Sequence, residues 1–297
     1  MRRLRIAIAT CAGYDDLKVD DRLLQEALAA RLAYPPQYVW DGEQPEWGQF
    51  DACLIRSTWD YHDKHEEFLA WTRHVAAGTR LWNPPELVAW NSDKAYLREL
   101  AAAGVPIVPT VWVERVDEID TEVALRERGW TEAVIKPTVD LGAKNLHRVR
   151  AGAGEAQPAL AAVLERGKAM IQPFLPSLET EGELSLIYID GELSHAVRKR
   201  PAAGDFRVQS IWGGTFEPAE AGLREQEIAA LALDHLDEVP LYARVDLVPG
   251  PDGDLCLIEL ELIEPNLYLV TRPPAAAMLA EAVLLRIDVD ADRDVLE

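Results

Sequence analysis

Short apolar runs alternate with amphipathic segments along the first third of the chain. Four of these runs have the length and composition of β-strands: Leu4–Thr10, Gln37–Trp40, Ala52–Arg56 and Arg80–Trp82. Apolar positions at helical spacing lie between them, in a helix capped by Asp20 and in another near Asp63–Ala77. This alternation predicts a small α/β unit of the βαβ type.

The middle of the chain mixes strands and helices after a turn predicted at residues 83–85. Ser92 is predicted to cap a helix over Asp93–Ala103, which Gly104 and Pro106 end. The apolar pattern then predicts four strands and two helices: Thr110–Val113, Glu118–Arg128 (helix), Ala133–Pro137, Asn145–Val149, Glu155–Gly167 (helix) and Ala169–Phe174.

Two hairpins dominate the last third. Asp190-Gly191 joins Leu184–Ile189 to Leu193–Lys199 with the residue pair that a tight hairpin turn favours. A long glycine-containing loop and a helix over Glu220–Leu236 precede the second hairpin, which joins Leu241–Val248 to Asp254–Leu262; a helix over Ala275–Ile287 follows. The fold class is therefore α/β, with an α+β C-terminal part, and the predicted domains are 1–90, 91–170 and 171–297.

The second hairpin carries the most informative chemistry. Residues two apart share one face of a strand, so Arg244 lies with Asp246, and Glu259 lies with Glu261. A turn over residues 250–253 would pair Arg244 with Glu259 and place Asp246 opposite Leu257. Three carboxylates on one face need a cation such as Mg²⁺, unless the face is simply solvated.

Several cations stand in positions suited to an anionic ligand. Lys136 ends an apolar strand just before a glycine-containing loop, where an ammonium meets phosphate oxygens or merely ends an edge strand. Lys94 lies in the first turn of its predicted helix, against the helix dipole. Four more cations cluster within ten residues, which indicates an anionic ligand or a structural ion-pair cluster: Arg198, Lys199, Arg200 and Arg207.

Charge and composition narrow the function further. The 297 residues include 30 Lys and Arg against 51 Asp and Glu, a net charge of −21 that disfavours a nucleic-acid partner. No apolar run approaches the roughly 18 residues that span a bilayer, so no membrane partner is expected. Three widely separated cysteines argue against a disulfide framework and favour the cytoplasm.

Polar residues follow two strands of the first unit, where open α/β sheets place ligands. Thr10 ends the first of these strands. Arg56 is predicted to clamp a substrate carboxylate, and three neighbours are predicted to bind an amino group: Ser57, Thr58 and Asp60. Packing of Trp59 and Tyr61 at a domain junction is the alternative, and His62 is expected on the surface.

Taken in order, the motifs of residues 83–285 resemble the ATP-grasp superfamily, the fold of D-alanine–D-alanine ligase and glutathione synthetase. The segments that carry the resemblance are Asn91–Lys94, Val134–Pro137, Ile171–Leu175, Gly182–Ser185, Gly204–Arg207 with Gly213-Gly214, Arg244–Asp246 and Ile258–Glu261. The resemblance implies an ATP-grasp fold after an N-terminal βαβ-type domain on the substrate side, a central lid, and a C-terminal part that carries the metal site.

The resemblance also implies ATP and Mg²⁺ as cofactors, with Mn²⁺ as a substitute, and a role for each matching residue. The implied metal ligands are Asp246, Glu259 and Glu261. The implied ATP contacts are Lys94, Lys136, Lys144, Gln172, Phe174, Leu175 and Glu183. The implied catalytic residues are Arg244, Arg207 and Lys199, and Gly213 and Gly214 would face the substrate. Two departures stand out: Glu261 replaces the family's usual asparagine, and residues 138–144 contain little glycine for a phosphate-binding loop.

Members of this superfamily phosphorylate a carboxylate and let an amine displace the phosphate. The segment Arg56–Tyr61 and the Glu-Leu-Glu ending at Glu261 also resemble the D-cycloserine synthetases of antibiotic biosynthesis, which implies ring closure of O-ureido-D-serine with loss of carbon dioxide and ammonia. Ligation of another small amino-acid-like substrate, a small-molecule kinase and a non-catalytic ATP-binding module stay open as alternatives, as does a homo-oligomer.

Overall fold

A computed structural model gives the structure of residues 4–14 and 18–294, with side chains described as far as Ile287. The N-terminal sheet is parallel, in the order β2-β1-β3-β4. Its strands and the helices beside it are β1 (Ile6–Thr10), α1 (Val19–Ala29), β2 (Gln37–Val39), β3 (Ala52–Ile55), α2 (His65–Ala76) and β4 (Arg80–Trp82). The βαβ-type unit predicted from the sequence is thus confirmed.

A second sheet is antiparallel, in the order β5-β8-β6-β7. The elements that lead to it and form it are α3 (Pro85–Asn91), α4 (Tyr96–Ala102), β5 (Val111–Val113), α5 (Thr121–Glu127), β6 (Glu132–Pro137), β7 (His147–Arg150), α6 (Ala156–Leu164) and β8 (Ala169–Pro173). Because β8 pairs with β5 and β6, this sheet continues past residue 170. The boundaries drawn at residues 90 and 170 stay a prediction.

The third sheet is also antiparallel, in the order β11-β10-β9-β12-β13. The C-terminal elements are α7 (Ser177–Thr180), β9 (Glu183–Ile189), β10 (Glu192–Arg200), β11 (Thr215–Ala219), α8 (Leu223–Leu233), β12 (Tyr242–Pro249), β13 (Leu255–Glu261) and α9 (Pro274–Asp294). Asp190 and Gly191 have φ of 53° and 81°, which confirms the tight turn between β9 and β10.

Apolar helix faces join the first and third sheets into one core. Leu24 and Leu28 of α1 pack with Leu279 and Val283 of α9, and all four side chains are fully buried. Burial of each such side chain contributes about 1.5–3 kcal/mol. Among the described residues, no helix combines the length and the apolar character needed to cross a membrane.

The 83–103 region contains a helix that the sequence analysis does not predict, and two predictions there are wrong: the cap at Ser92 and the helical position of Lys94. The turn at residues 83–85 leads directly into α3, which has Pro85 in its first turn, a position that suits proline. Ser92 then follows α3 in a helical conformation and donates to the Ala89 carbonyl, so it caps no helix. As a result, Lys94 lies in the turn before α4 instead of inside a helix.

The register of the second hairpin also differs from the prediction. Pro249 pairs with Leu255, and a β-bulge then places Asp246 opposite Glu259 and Arg244 opposite Glu261. The simple turn arithmetic allowed no extra residue, although bulges are common next to functional sites. The four side chains still share one face, as their alternation required.

Side chains from the end of α3 and the start of α4 cover the free edge of β13. Asn91 donates to the Leu260 carbonyl and accepts from the Leu262 amide, and the Tyr96 hydroxyl bonds both backbone groups of Leu260. An edge strand leaves such groups unpaired unless something covers them. This cover fixes the strand that carries Glu259 and Glu261.

Candidate functional site

A cavity of about 380 Å³ lies between the second and third sheets and reaches the carboxyl ends of the first sheet. Fourteen of the residues proposed from the sequence line it: Asp60, Lys94, Lys136, Lys144, Gln172, Phe174, Leu175, Glu183, Lys199, Arg207, Arg244, Asp246, Glu259 and Glu261. The cavity is large enough for a small ligand and is lined by converging charged groups, which are the usual marks of a binding site.

The three predicted metal ligands meet at this cavity. Asp246, Glu259 and Glu261 each offer a carboxylate oxygen, and these oxygens all lie within 4.8 Å of one another. An all-oxygen, anionic donor set of this kind fits a hard divalent cation. The donor set therefore fits Mg²⁺.

Protein cations contact each carboxylate of this cluster. Lys94 lies 3.0 Å from Glu259, and Arg244 lies 2.9 Å from Asp246 and also contacts Glu261. Arg244 and Lys199 hold the pKa of the Asp246 carboxyl well below its usual range although burial opposes this. Burial raises the pKa of Glu261 to about 7 despite the contact with Arg244. Ion pairs with Lys94, Lys199 and Arg244 thus hold the three carboxylates close together despite their mutual repulsion.

Glu183 and Lys199 form a buried ion pair beside the cluster. Lys199 contacts Glu183 and lies 3.1 Å from Asp246. Burial raises the pKa of the Glu183 carboxyl to about 7, although Lys199 opposes the rise. In this arrangement Lys199 links a residue expected to contact ATP to a residue expected to hold the metal.

The two lysines expected at the phosphates differ in their contacts. Lys94 donates to the Asp140 carbonyl at 2.6 Å as well as to Glu259. Lys136 lines the same cavity, its ammonium makes no hydrogen bond within the described part of the chain, and burial lowers the pKa of that ammonium. Lys136 is therefore the cation best placed to accept a ligand's anionic oxygens.

The end of the cavity near β8 is apolar and aromatic. Phe174 packs edge-on against Phe206, and the Arg148 guanidinium lies 3.5 Å from the centre of the Phe174 ring. Gln172 is buried and donates to the Thr110 hydroxyl at 3.0 Å. A flat heterocycle fits such a slot between apolar and cationic faces.

Two loops meet over the cavity. Trp212 donates to the Gly142 carbonyl at 2.8 Å, and the Arg207 guanidinium lies 3.6 Å from the centre of the Trp212 ring. Arg207 is also paired with Asp205 at 2.7 Å. This contact joins the loop after β10 to the loop after β6, so the two loops cover the ligand space together.

The predicted role of Arg56 as a clamp for a substrate carboxylate is corrected by its position. Its side chain is 2% exposed, lies outside the cavity lining, and pairs with Asp21 at 2.7 Å. It also donates to the Pro265 carbonyl at 2.7 Å and stacks over Tyr242. Asp21 already neutralises the charge of Arg56, and the bond to the Pro265 carbonyl fixes the loop that follows β13.

Five other residues expected at the substrate also lie outside the cavity lining. Thr10, Ser57 and Thr58 are fully buried in the first domain. Gly213 and Gly214 shape the loop instead: Gly213 has φ of 82°, and a Cβ on Gly214 would lie 2.1 Å from the Val208 carbonyl oxygen. His62 is buried as well, so the expectation of a surface histidine is wrong.

Sequence reasoning missed the residues that line the cavity beside the first domain: Cys11, Tyr14, Lys18, Trp59, Glu264 and Asn266. The sequence predicts only a packing role for Trp59. Glu264 and Asn266 follow the end of β13 by three and five residues, and polar residues just beyond a strand end were the available signal.

Two family models match successive parts of the chain. Residues 6–83 match the family model of the N-terminal domain of D-cycloserine synthetase DcsG. Residues 105–251 match that of the ATP-grasp domain of prokaryotic glutathione synthetase. The two matches thus cover the first sheet and most of the cavity.

Individual relatives agree with these matches. The cycloserine biosynthesis protein DcsG of Streptomyces lavendulae is 34% identical over 261 residues, which are 84% of this chain and 87% of that protein. The glutathione synthetase of Prochlorococcus marinus is 32% identical over 69% of this chain and 63% of that protein. The crystal structure of D-cycloserine synthetase DcsG superposes with a TM-score of 0.81 at 31% identity, over 95% of this chain and 99% of that one.

Proposed function

Because the chain belongs to the DcsG family of ATP-grasp ligases, we propose that it cyclises O-ureido-D-serine to D-cycloserine with hydrolysis of ATP. The observation that carries this proposal is the similarity to DcsG over 84% of the chain. It extends beyond the ATP-grasp domain into residues 6–83, a part of the chain that also contributes to the cavity lining. The family also supplies the general activity: an ATP-dependent ligase that uses a divalent metal ion and a small-molecule substrate.

The first step in this proposal transfers the γ-phosphoryl group of ATP to the substrate carboxylate. Lys94 and Lys136 hold phosphate oxygens, and Arg244 stabilises the charge on the transferring group. Bound by Asp246, Glu259 and Glu261, a divalent ion would neutralise phosphate oxygens. A carboxylate oxygen forms the new bond to phosphorus, and the bond from phosphorus to the ADP oxygen breaks.

The second step closes the ring. The ureido nitrogen bonded to oxygen attacks the acyl carbon, and the carbon–oxygen bond to phosphate breaks, which releases inorganic phosphate. Water then removes the carbamoyl group as carbon dioxide and ammonia. Arg207 would orient the acyl phosphate, since it lies on the loop that covers the cavity.

The aromatic end of the cavity is assigned to adenine and the buried acid Glu183 to the ribose. Phe174 and Leu175 supply the apolar slot, Gln172 adds a polar amide beside it, and Lys144 stands on the loop beside the phosphates. The cavity has a charged part and an apolar part. This suits a nucleotide, which has charged phosphates at one end and a flat base at the other.

Four further properties belong to this proposal. Mn²⁺ replaces Mg²⁺, because both bind all-oxygen sites. The domains divide at residues 90 and 170, and the protein is cytoplasmic, which its three free cysteines support. A homo-oligomer stays a prediction that light scattering after gel filtration tests directly.

The proposal is tested by ADP release from a panel of D- and L-amino acids that includes O-ureido-D-serine, each with and without an added amine. The expected result is rapid release with O-ureido-D-serine alone, because its own ureido nitrogen is the nucleophile. A strict requirement for an added amine would replace cyclisation by ligation between two molecules.

A further inference from the structure

The loop that follows β13 is held at three consecutive carbonyl groups. Trp59 donates to the carbonyl of Glu264 at 2.9 Å, and Arg56 donates to that of Pro265 at 2.7 Å. Arg244 donates to the carbonyl of Asn266 at 3.3 Å. Trp59 and Arg56 of the first domain and Arg244 of β12 therefore fix this loop together. A side chain on it has a defined position relative to Arg244.

Glu264 on this loop has a side chain with no evident structural partner. The residue is 4% exposed and lines the cavity, and its Oε2 atom has no hydrogen-bond partner among the described residues. Burial and the charge of Glu261 raise the pKa of the Glu264 carboxyl well above its usual range. A buried carboxyl without a partner is costly, natural proteins rarely keep one without a use, and a cation bound beside it would favour its charged form.

Lys94 and Arg244, whose charges oppose the rise in the pKa of the Glu264 carboxyl that burial causes, are engaged elsewhere. Lys94 contacts Glu259 and the Asp140 carbonyl, and Arg244 contacts Asp246 and Glu261. Glu264 is also not one of the three carboxylates whose oxygens come together as a metal-binding group. A bound ligand is therefore the natural source of a hydrogen-bond partner for the Glu264 carboxyl.

We propose that the Glu264 carboxylate binds the α-ammonium group of an amino-acid substrate. This inference rests on the proposed function, in which the acid to be phosphorylated lies beside Arg244 and the acidic cluster. In an α-amino acid the ammonium is one carbon away from that acid. Glu264 follows Glu261 by three residues and lines the same cavity, so it offers an anion beside the reacting carboxylate.

The ammonium fits this position better than other substrate groups. It carries a positive charge and three donors and has no lone pair to be repelled. A second carboxylate at the same place would meet Glu264 and the charges of Glu261 and Glu259, which already raise the pKa of Glu264. Glu264 thus acts as a specificity residue that separates amino acids from plain carboxylic acids.

The test compares two ligands on two proteins in the presence of Mg²⁺ and a non-hydrolysable ATP analogue. One ligand is O-ureido-D-serine, and the other is the analogue in which hydrogen replaces its α-amino group. Glu264→Gln keeps the size of the side chain and removes its charge. Glu127→Gln, on the exposed face of α5, is the matched control.

We expect the wild-type protein and Glu127→Gln to bind the amino compound at least tenfold more tightly than its analogue. Glu264→Gln should lose most of this preference and retain its affinity for the ATP analogue, which shows that it is folded. An equal preference in Glu264→Gln and the wild type would overturn the inference, as would a wild type that does not distinguish the two ligands.

The same titration separates this inference from the proposed function. If the wild type binds neither compound, the panel of D- and L-amino acids is titrated next. Glu264-dependent binding of another amino acid would uphold the role of Glu264 and reject O-ureido-D-serine as the substrate. No Glu264-dependent binding anywhere in the panel would reject the role of Glu264.

Discussion

Arg244 lies directly opposite Glu261 across β12 and β13, and its guanidinium contacts the Glu261 carboxylate. Glu261 stands where the superfamily usually has asparagine, and Arg244 is the partner of this additional carboxylate. The extra negative charge is matched by an arginine that also holds Asp246. The β-bulge after Asp246 brings the pair into register.

Replacing Glu261 with asparagine should raise the Mg²⁺ requirement. The change removes one of three anionic ligands, so we expect at least threefold more free Mg²⁺ for the half-maximal rate, with measurable turnover retained. Glu259→Gln should nearly abolish turnover, since Glu259 lies at the centre of the cluster, opposite Asp246 and 3.0 Å from Lys94. Rates measured against free Mg²⁺ decide this, and an unchanged requirement in Glu261→Asn would remove Glu261 from the metal site.

Lys136→Ala should weaken nucleotide binding at least tenfold. The ammonium lines the cavity and has no other hydrogen-bond partner among the described residues, and a charge-assisted bond to phosphate contributes about 1.5–3 kcal/mol. Lys168→Ala is the control, because Lys168 is half exposed and lies 3.9 Å from Glu114. Titration with a non-hydrolysable ATP analogue measures both. Equal affinities would exclude Lys136 from the nucleotide site.

Arg56→Ala should lower the free energy of unfolding by about 3–5 kcal/mol. It leaves the buried Asp21 carboxylate without its cation and frees the Pro265 carbonyl. Arg31→Ala is the control, since Arg31 is 41% exposed and its ion pair with Glu281 is long, at 3.8 Å. Urea unfolding provides the measurement. A loss below about 1 kcal/mol with a raised KM would restore the direct role for Arg56 in substrate binding.

The pH dependence of stability should contain a contribution from Asp20. Burial, with the nearby Asp21 charge, raises the pKa of Asp20 to about 6, against about 3.9 in an unfolded chain. Between these values the folded protein keeps a proton that the unfolded chain has lost. Stability therefore falls as pH rises through this window.

Asp20→Asn should remove this loss, since the asparagine carbonyl can still accept from the Val270 amide. Its stability relative to wild type should increase between pH 5 and pH 7.5 in urea unfolding. Asp237→Asn, at an exposed loop position, serves as the control. A difference that stays constant with pH would contradict the raised pKa.

Alternation within strands was a reliable guide to the site, whereas long-range contacts were not predictable. The shared face of Arg244 and Glu261 follows from spacing alone, and it survived an error in register. The bulge could not be read from the turn. Arg56 looked like a ligand-binding residue because its partners, Asp21 and Pro265, are distant in sequence and only the fold brings them together.

The product of the reaction with O-ureido-D-serine tests the central claim most directly. Phosphorus NMR and mass spectrometry would follow ATP and this substrate with the wild-type protein and Mg²⁺. The account predicts one ADP and one inorganic phosphate for each D-cycloserine formed. A stable phosphorylated product without free phosphate, or no consumption of ATP, would contradict it.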